Sequence, residues 1–147
     1  MMREIKFRVW DKDSKQMDLV VRLEVDDSGH IDTAEGYGGV YHNFELMEYT
    51  GLHDKNGREI YEGDLFEHKF GYTVFDDHPH AEMGTEYGVV TFDNGQFLVS
   101  TPGYGGRSLY ELLLLNGHLN DMPDSDLFTM KVAGNIFENP ELMEASK

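Results

Sequence analysis

The stretch LMEYTGLHDKNGREIYEGDLF at residues 46–66 joins a tight-turn signal, an apolar strand signal and a Gly-Asp corner within one short span. Asn56-Gly57 sits between two extended, apolar-rich segments, and Asn-Gly in that setting marks a hairpin because both residues tolerate positive φ. Glu62-Gly63-Asp64 then breaks the second strand, and residues 65–70 resume an extended course.

Working outward, the same pattern recurs. Val89, Val90 and Phe92, then Asp93-Asn94-Gly95, then Phe97, Leu98 and Val99 predict a second Asn-Gly hairpin. Toward the N-terminus, Ile5, Phe7 and Val9 alternate with Lys6, Arg8 and Trp10, the period of a half-buried strand. A turn over residues 11–14 and an apolar-rich run at residues 17–25 complete an N-terminal hairpin. Residues 30–43, interrupted by Gly36, Gly38 and Gly39, read as loop or irregular edge, and residues 72–87 as a polar, aromatic-rich loop. Ser108-Leu109-Tyr110-Glu111 has the form of a capping box ahead of the apolar run at residues 112–115, with Gly117 as a stop. Residues 128–132 read as a final strand, and Asn139-Pro140-Glu141 as the start of a short terminal helix that packs Leu142 and Met143.

Composition agrees with this reading. The chain has 147 residues, 39% hydrophobic and 12% aromatic, enough for one domain with a real core, so a single domain over residues 1–147 is expected. With sixteen glycines and short strand-like segments throughout, the fold class is mainly β, with one or two short helices.

The net charge is −16, from 28 acidic and 12 basic side chains. Residues 1–17 hold a local +2, which leaves −18 on the remainder. Such a surface repels phosphate backbones and anionic membranes, so nucleic acid is disfavoured and a basic partner protein fits better; solubility alone also accounts for it. There is no cysteine, hence no disulfide framework and no thiolate chemistry. The N-terminal segment interleaves charge with apolar residues and lacks the h-region of a secretory signal, which points to the cytoplasm.

Candidate sites are few. Asp76, His78 and His80 form an H-x-H pair beside a carboxylate, and with His68 or Glu82 they offer nitrogen and oxygen ligands to a divalent metal; an acidic surface loop with two solvated histidines is the simpler reading, since no second ligand cluster stands at a recognisable interval. Gly105, Gly106, Arg107 and Ser108 precede the predicted helix and could cradle an anion, although the lysine and spacing of a P-loop are missing and a simple connection serves as well. Glu62 with Asp64 is a carboxylate pair of a kind that arises by chance among 28 acids. Phe7 with Trp10, and Tyr49 with Tyr61, are aromatic pairs that a single-stranded nucleic acid could stack on, or that a core uses. No catalytic set and no cofactor requirement emerges, and short exposed strand edges are compatible with a homo-oligomer.

REIKFRVWDKDSKQM at residues 3–17, YTGLHDKNGREIYEGDLF at 49–66, GVVTF at 88–92 and VAGNIFENPEL at 132–142 resemble the YopX family, in the family's order and across the whole chain. Residues 22–45, 70–87 and 112–125 carry no shared pattern. The resemblance implies a bacteriophage or prophage protein in a bacterial host, mostly β, with a compact barrel similar to Src-homology-3-like barrels. It implies no activity and no catalytic residue. A non-catalytic interaction protein is therefore the leading expectation. A metal- or phosphate-ligand-using enzyme centred on residues 68–82 or 103–108 is the alternative, and a nucleic-acid-binding barrel the third reading.

Overall fold

The computed structural model describes residues 3–103, 105–115 and 130–145, and these form eleven strands and two short helices. The chain divides into two compact units, residues 1–51 and 52–147.

In the first unit, β1 (Phe7–Asp11) and β2 (Gln16–Val25) make the N-terminal hairpin, with Arg8 opposite Leu19 and Asp11 opposite Gln16. Its turn is held by Asp11, whose carboxylate accepts the Ser14 hydroxyl at 2.6 Å and the Ser14 amide at 3.1 Å. β5 (Phe44–His53) pairs with the other edge of β1, and Val9, Met47 and Tyr49 are buried there.

Residues 30–43, expected as loop, form a second hairpin: β3 (Ile31–Gly36) pairs with β2 and with β4 (Gly39–Tyr41). The glycines that look like interruptions are what permit it. Any side chain on Gly36 would collide with the carboxylate of Asp18, which accepts the Gly38 amide at 2.8 Å and the Tyr41 hydroxyl at 2.6 Å. Hydrogen bonding to Asp18 pushes the Tyr41 phenol up to about 12.

β5 leads through a tight turn at residues 54–58 into β6 (Glu59–Tyr61), where the hairpin was expected. The turn chemistry differs from the usual Asn-Gly pair. Gly57 alone takes positive φ, at 78°, and the loop is fixed by Asp54, whose Oδ1 accepts the amides of Asn56 and Arg58 at 2.9 Å each.

The second unit continues with β7 (Asp64–Val74), β8 (His80–Asp93), β9 (Gln96–Thr101), β10 (Gly105–Ser108), α1 (Leu109–Leu115), β11 (Met130–Asn135) and α2 (Glu141–Ala145). Its five-stranded sheet runs β10-β9-β8-β7-β11. The second Asn-Gly hairpin is as expected: Asn94 and Gly95 take φ of 50° and 79° between β8 and β9. Phe66, Val90, Val99 and Val132 meet Leu109, Leu112 and Leu113 in the core, the last three from one face of α1. Gly88 lies opposite Phe66, and a Cβ there would stand 2.5 Å from Val99 Cγ1, so the sheet packs tightly only with glycine at this position.

The mainly β class holds, and no pairing among the described residues joins β10 to β11, so the sheet is open rather than a closed barrel. Two further differences concern β7, β8 and β10. Residues 72–87, read as loop, are strand except for the turn at 75–79, in an unbroken register from Leu65 opposite Val89 to Val74 opposite His80. Gly105 to Ser108, read as a connection, is an edge strand on β9. Gly117 and residues 128–129 lie outside the described residues.

Candidate functional site

Residues 52–66 of the central motif meet the motifs at 88–92 and 132–142 inside the second unit, where Asp54, Asp64, Asn135 and Asn139 hold backbone amides. Asp54 Oδ2 accepts the Val132 amide at 2.9 Å. Gly63, at φ 82°, donates its amide to the Val90 carbonyl at 2.8 Å, and its own carbonyl accepts the Ile136 amide at 3.0 Å. Asp64, fully buried, accepts the Tyr61 amide at 2.8 Å. Asn135, also buried, accepts the amides of Phe137 and Glu138 through its side-chain oxygen. A Cβ on Gly134 would collide with the Asn139 side chain, whose oxygen accepts the Asn135 amide at 3.2 Å. Of the Glu62 and Asp64 pair, Asp64 is thus engaged in fixing the corner.

The aromatic pairs do not make a platform. Phe7 and Trp10 are three residues apart on β1, so the alternation of the strand sends them to opposite faces. Tyr49 and Tyr61 are both buried.

The H-x-H segment lies at the tip of the β7–β8 hairpin. His80 Nδ1 lies 2.9 Å from the His78 carbonyl oxygen, and its Nε2 lies 2.8 Å from Glu82 Oε1. Both ring nitrogens therefore face oxygen acceptors, the arrangement that suits a doubly protonated imidazolium. The His78 carbonyl, and after it the Glu82 carboxylate, raise the His80 pKa above its ordinary value, while His80 and Tyr72 lower that of Glu82. Tyr72 donates to Glu82 Oε2 at 2.8 Å from across the hairpin. Asp76 accepts the His78 amide at 2.8 Å and stands 3.9 Å from His80 Nδ1. The expected trio is thus drawn together through backbone and carboxylate contacts. Among the described residues, no group of three or more His, Asp or Glu side chains is placed to hold a metal ion.

Among the described residues the hairpin beyond the His68–Glu86 pair is a two-stranded ribbon. Among the described residues β11, which begins at Met130, pairs with β7 as far as His68, and β9 pairs with β8 from Val89 onward. Residues 69–74 and 80–85 therefore pair only with each other among the described residues. The ribbon presents Phe75 at 86% exposure, Met83 at 51% and Tyr72 at 44%, interspersed with Asp76, Asp77 and Glu82.

The glycine-rich segment borders a different feature. Gly106, Arg107 and Ser108 line an open cleft of about 460 Å³ together with Gln96, Leu98, Glu111 and Leu112. Ser108 Oγ accepts the Glu111 amide at 3.3 Å, the first half of the expected capping box. Arg107 stands 3.7 Å from Glu86, which also holds His68 Nδ1 at 3.1 Å. With Glu86 on Arg107 and Glu111 in the wall, the cleft is not a simple anion cradle, and Gly105 and Gly106 are engaged as strand residues against Thr101 and Ser100. Sequence spacing did not reveal Tyr72, which reaches Glu82 across β7–β8, or Glu86, which reaches Arg107 from β8 across β9 to β10; the alternation of Phe70, Tyr72 and Val74 ahead of Pro79 is the signal that could have found Tyr72.

The YopX protein profile matches residues 6–144. This chain belongs to the YopX family. The match runs through both units, as do two similar crystal structures. One is of protein EF1440 from Enterococcus faecalis, at 24% identity and a TM-score of 0.61, covering 97% of this chain and 99% of that one. The other is of protein yopX from Bacillus subtilis, at 21% identity and a TM-score of 0.55, covering 97% and 98%. At these identities the likeness establishes a shared YopX fold. No curated protein matches the chain.

Proposed function

We propose that this YopX protein is a non-catalytic interaction module that engages a basic partner protein through acidic, partly apolar surface centred on the β7–β8 ribbon. The observation that carries it is the exposure of Phe75, Met83 and Tyr72 beside Asp76, Asp77 and Glu82 on a two-stranded ribbon. Large apolar side chains exposed on one element are what partner surfaces cover; the register places Tyr72 on one face of the ribbon and Met83 on the other, and the nearby carboxylates select a basic partner and speed its approach. Asp54, Asp64 and Asn135 of the motifs, by contrast, hold backbone amides in turns and corners. The family resemblance supports a role as a phage or prophage accessory protein in the cytoplasm of the bacterial host. Among the described residues no helix is long and apolar enough to cross a membrane.

The strand order supports a barrel-like curl of the second unit. A four-strand meander, β7 to β10, is followed by a last strand that returns beside the first, the connectivity of a small Src-homology-3-like barrel opened between β10 and β11.

The test is a pull-down from host lysate at low and high salt with the wild type and with the triple charge reversal of Asp76, Asp77 and Glu82 to lysine. A saturable partner lost on charge reversal supports the proposal. No saturable partner, or one indifferent to the reversal, overturns it. The competing enzyme reading has one specific observation in its favour, the cleft beside Arg107 and Ser108. A thermal-shift screen with nucleotides and metals tests it, because a ligand bound to the native state raises its stability by mass action.

A further inference from the structure

We infer that Asn94 is a site of spontaneous backbone modification, and that the fold shields the chain's other Asn-Gly pair, Asn56-Gly57, from the same reaction. The chemistry belongs to the dipeptide. The deprotonated amide nitrogen of the glycine attacks the asparagine Cγ; an N–Cγ bond forms, the bond from Cγ to the side-chain nitrogen breaks, and that nitrogen leaves as ammonia. Water then opens the cyclic imide. Opening at the side-chain carbonyl yields aspartate, and opening at the backbone carbonyl yields isoaspartate, whose main chain runs through Cβ and is longer by that carbon. A glycine, without a Cβ, hinders the attack least.

Both pairs lie in exposed turns, so exposure does not separate them. Hydrogen bonding does. The attack needs the glycine amide released and the asparagine backbone turned toward its own side chain, so the turn must open locally first. In the β5–β6 turn the Gly57 amide donates to the Asp54 carbonyl at 3.0 Å, and the amides of Asn56 and Arg58 donate to Asp54 Oδ1 at 2.9 Å each. Asp54 is itself buried and bound to the Val132 amide, so opening here works against an anchored side chain. Between β8 and β9, Asn94 and Gly95 hold no hydrogen bond or ion pair among the described residues. Their turn is closed by the Asp93–Gln96 pair and by the Phe92 and Phe97 rings, 5.1 Å apart. Isoaspartate would lengthen this two-residue turn and set it at odds with the register that places Phe92 opposite Phe97.

The test incubates the full chain at mildly alkaline pH, native and in denaturant, and follows conversion at both asparagines by peptide mapping that distinguishes aspartate from isoaspartate. The denatured chain gives each site's intrinsic rate, and the denatured-to-native rate ratio is the protection the fold supplies. Protection at Asn56 should exceed that at Asn94 by at least about fivefold, the factor that one hydrogen bond of ordinary strength corresponds to. Equal protection at the two sites, or stronger protection at Asn94, overturns the inference, as does a native chain in which Asn94 stays unmodified while the denatured chain reacts. Hydrogen exchange at residues 92–97 should quicken in the isoaspartate fraction and stay slow in Asn94→Asp, which adds the charge without the extra backbone carbon. Equal quickening in Asn94→Asp overturns the assignment of the loosening to the longer main chain.

Discussion

The Asp54 carboxylate accepts the amide of Val132 at 2.9 Å while its other oxygen holds the amides of Asn56 and Arg58, so one buried side chain ties the β5–β6 turn to the strand β11. Hydrogen bonds to a charged group contribute more than neutral ones, and a buried amide left without its acceptor is costly. Asp54→Ala should lower unfolding stability by about 3 kcal/mol, and Asp54→Asn, which keeps one acceptor oxygen, by about half of that. Denaturant unfolding measures both. A loss below about 0.5 kcal/mol for the alanine variant, the level of an ordinary surface change, would remove Asp54 from this role.

Gly63 is the corner where β8, the segment after β11 and the start of β7 converge. Its amide and carbonyl are both engaged and its φ of 82° is unfavourable for any L side chain. Gly63→Ala should cost about 1–2 kcal/mol from backbone strain alone. Gly71→Ala, on a strand with open space, is the comparison and should change stability far less. Equal effects of the two substitutions would show that positive φ is not what Gly63 supplies.

These two residues also show how much of the fold was legible. Gly63 and Asp64 announce a corner because Gly-Asp after an apolar strand is a local turn signal, and the Asn94-Gly95 hairpin follows from φ preferences of two adjacent residues. Gly36 and Gly38 were misleading because their purpose is non-local. They make room for Asp18 on a neighbouring strand, and no local pattern encodes that approach. The ribbon was hidden for a related reason. Phe70, Tyr72 and Val74 do alternate on β7, but the partner strand that gives this alternation its meaning, with Glu82, Gly84 and Glu86, is polar and lies on the far side of the turn at 75–79. At the candidate site, Asp76, His78 and His80 could be read from spacing, whereas Tyr72 arrives through the hairpin register and Glu86 reaches Arg107 across three strands of the sheet.

Gly134 and Asn139 fit one another closely, with the Asn139 oxygen accepting the Asn135 amide where a Gly134 side chain would otherwise stand. Gly134→Ala should destabilise by about 2 kcal/mol, the scale of overpacking a tight site. Asn139→Ala removes the colliding amide and should itself cost about 1 kcal/mol for the lost acceptor. The double variant should be more stable than the sum of the two losses implies, with a coupling of at least about 0.5 kcal/mol. Strict additivity in the unfolding free energies would mean that the two side chains do not compete for the same space.

His80 and Glu82 make the ribbon tip sensitive to pH. The His78 carbonyl and then Glu82 raise the His80 pKa above its ordinary 6.5, so folding favours the protonated ring. That contribution is fully present below 6.5 and is lost as pH rises through the higher folded value. Glu82 runs in the opposite sense: His80 and then Tyr72 hold its pKa below the ordinary 4.5, so its contribution is present above 4.5 and is lost as pH falls through the lower folded value. The tip should therefore be most ordered between 4.5 and 6.5. A proton–nitrogen NMR titration of the imidazoles should show His80 titrating above 6.5, and Glu82→Gln should move it downward while leaving the global unfolding midpoint unchanged. An unmoved His80 titration in that variant would disconnect the two side chains, and the hydrogen-exchange rates at residues 76–82 would then show no optimum in that range.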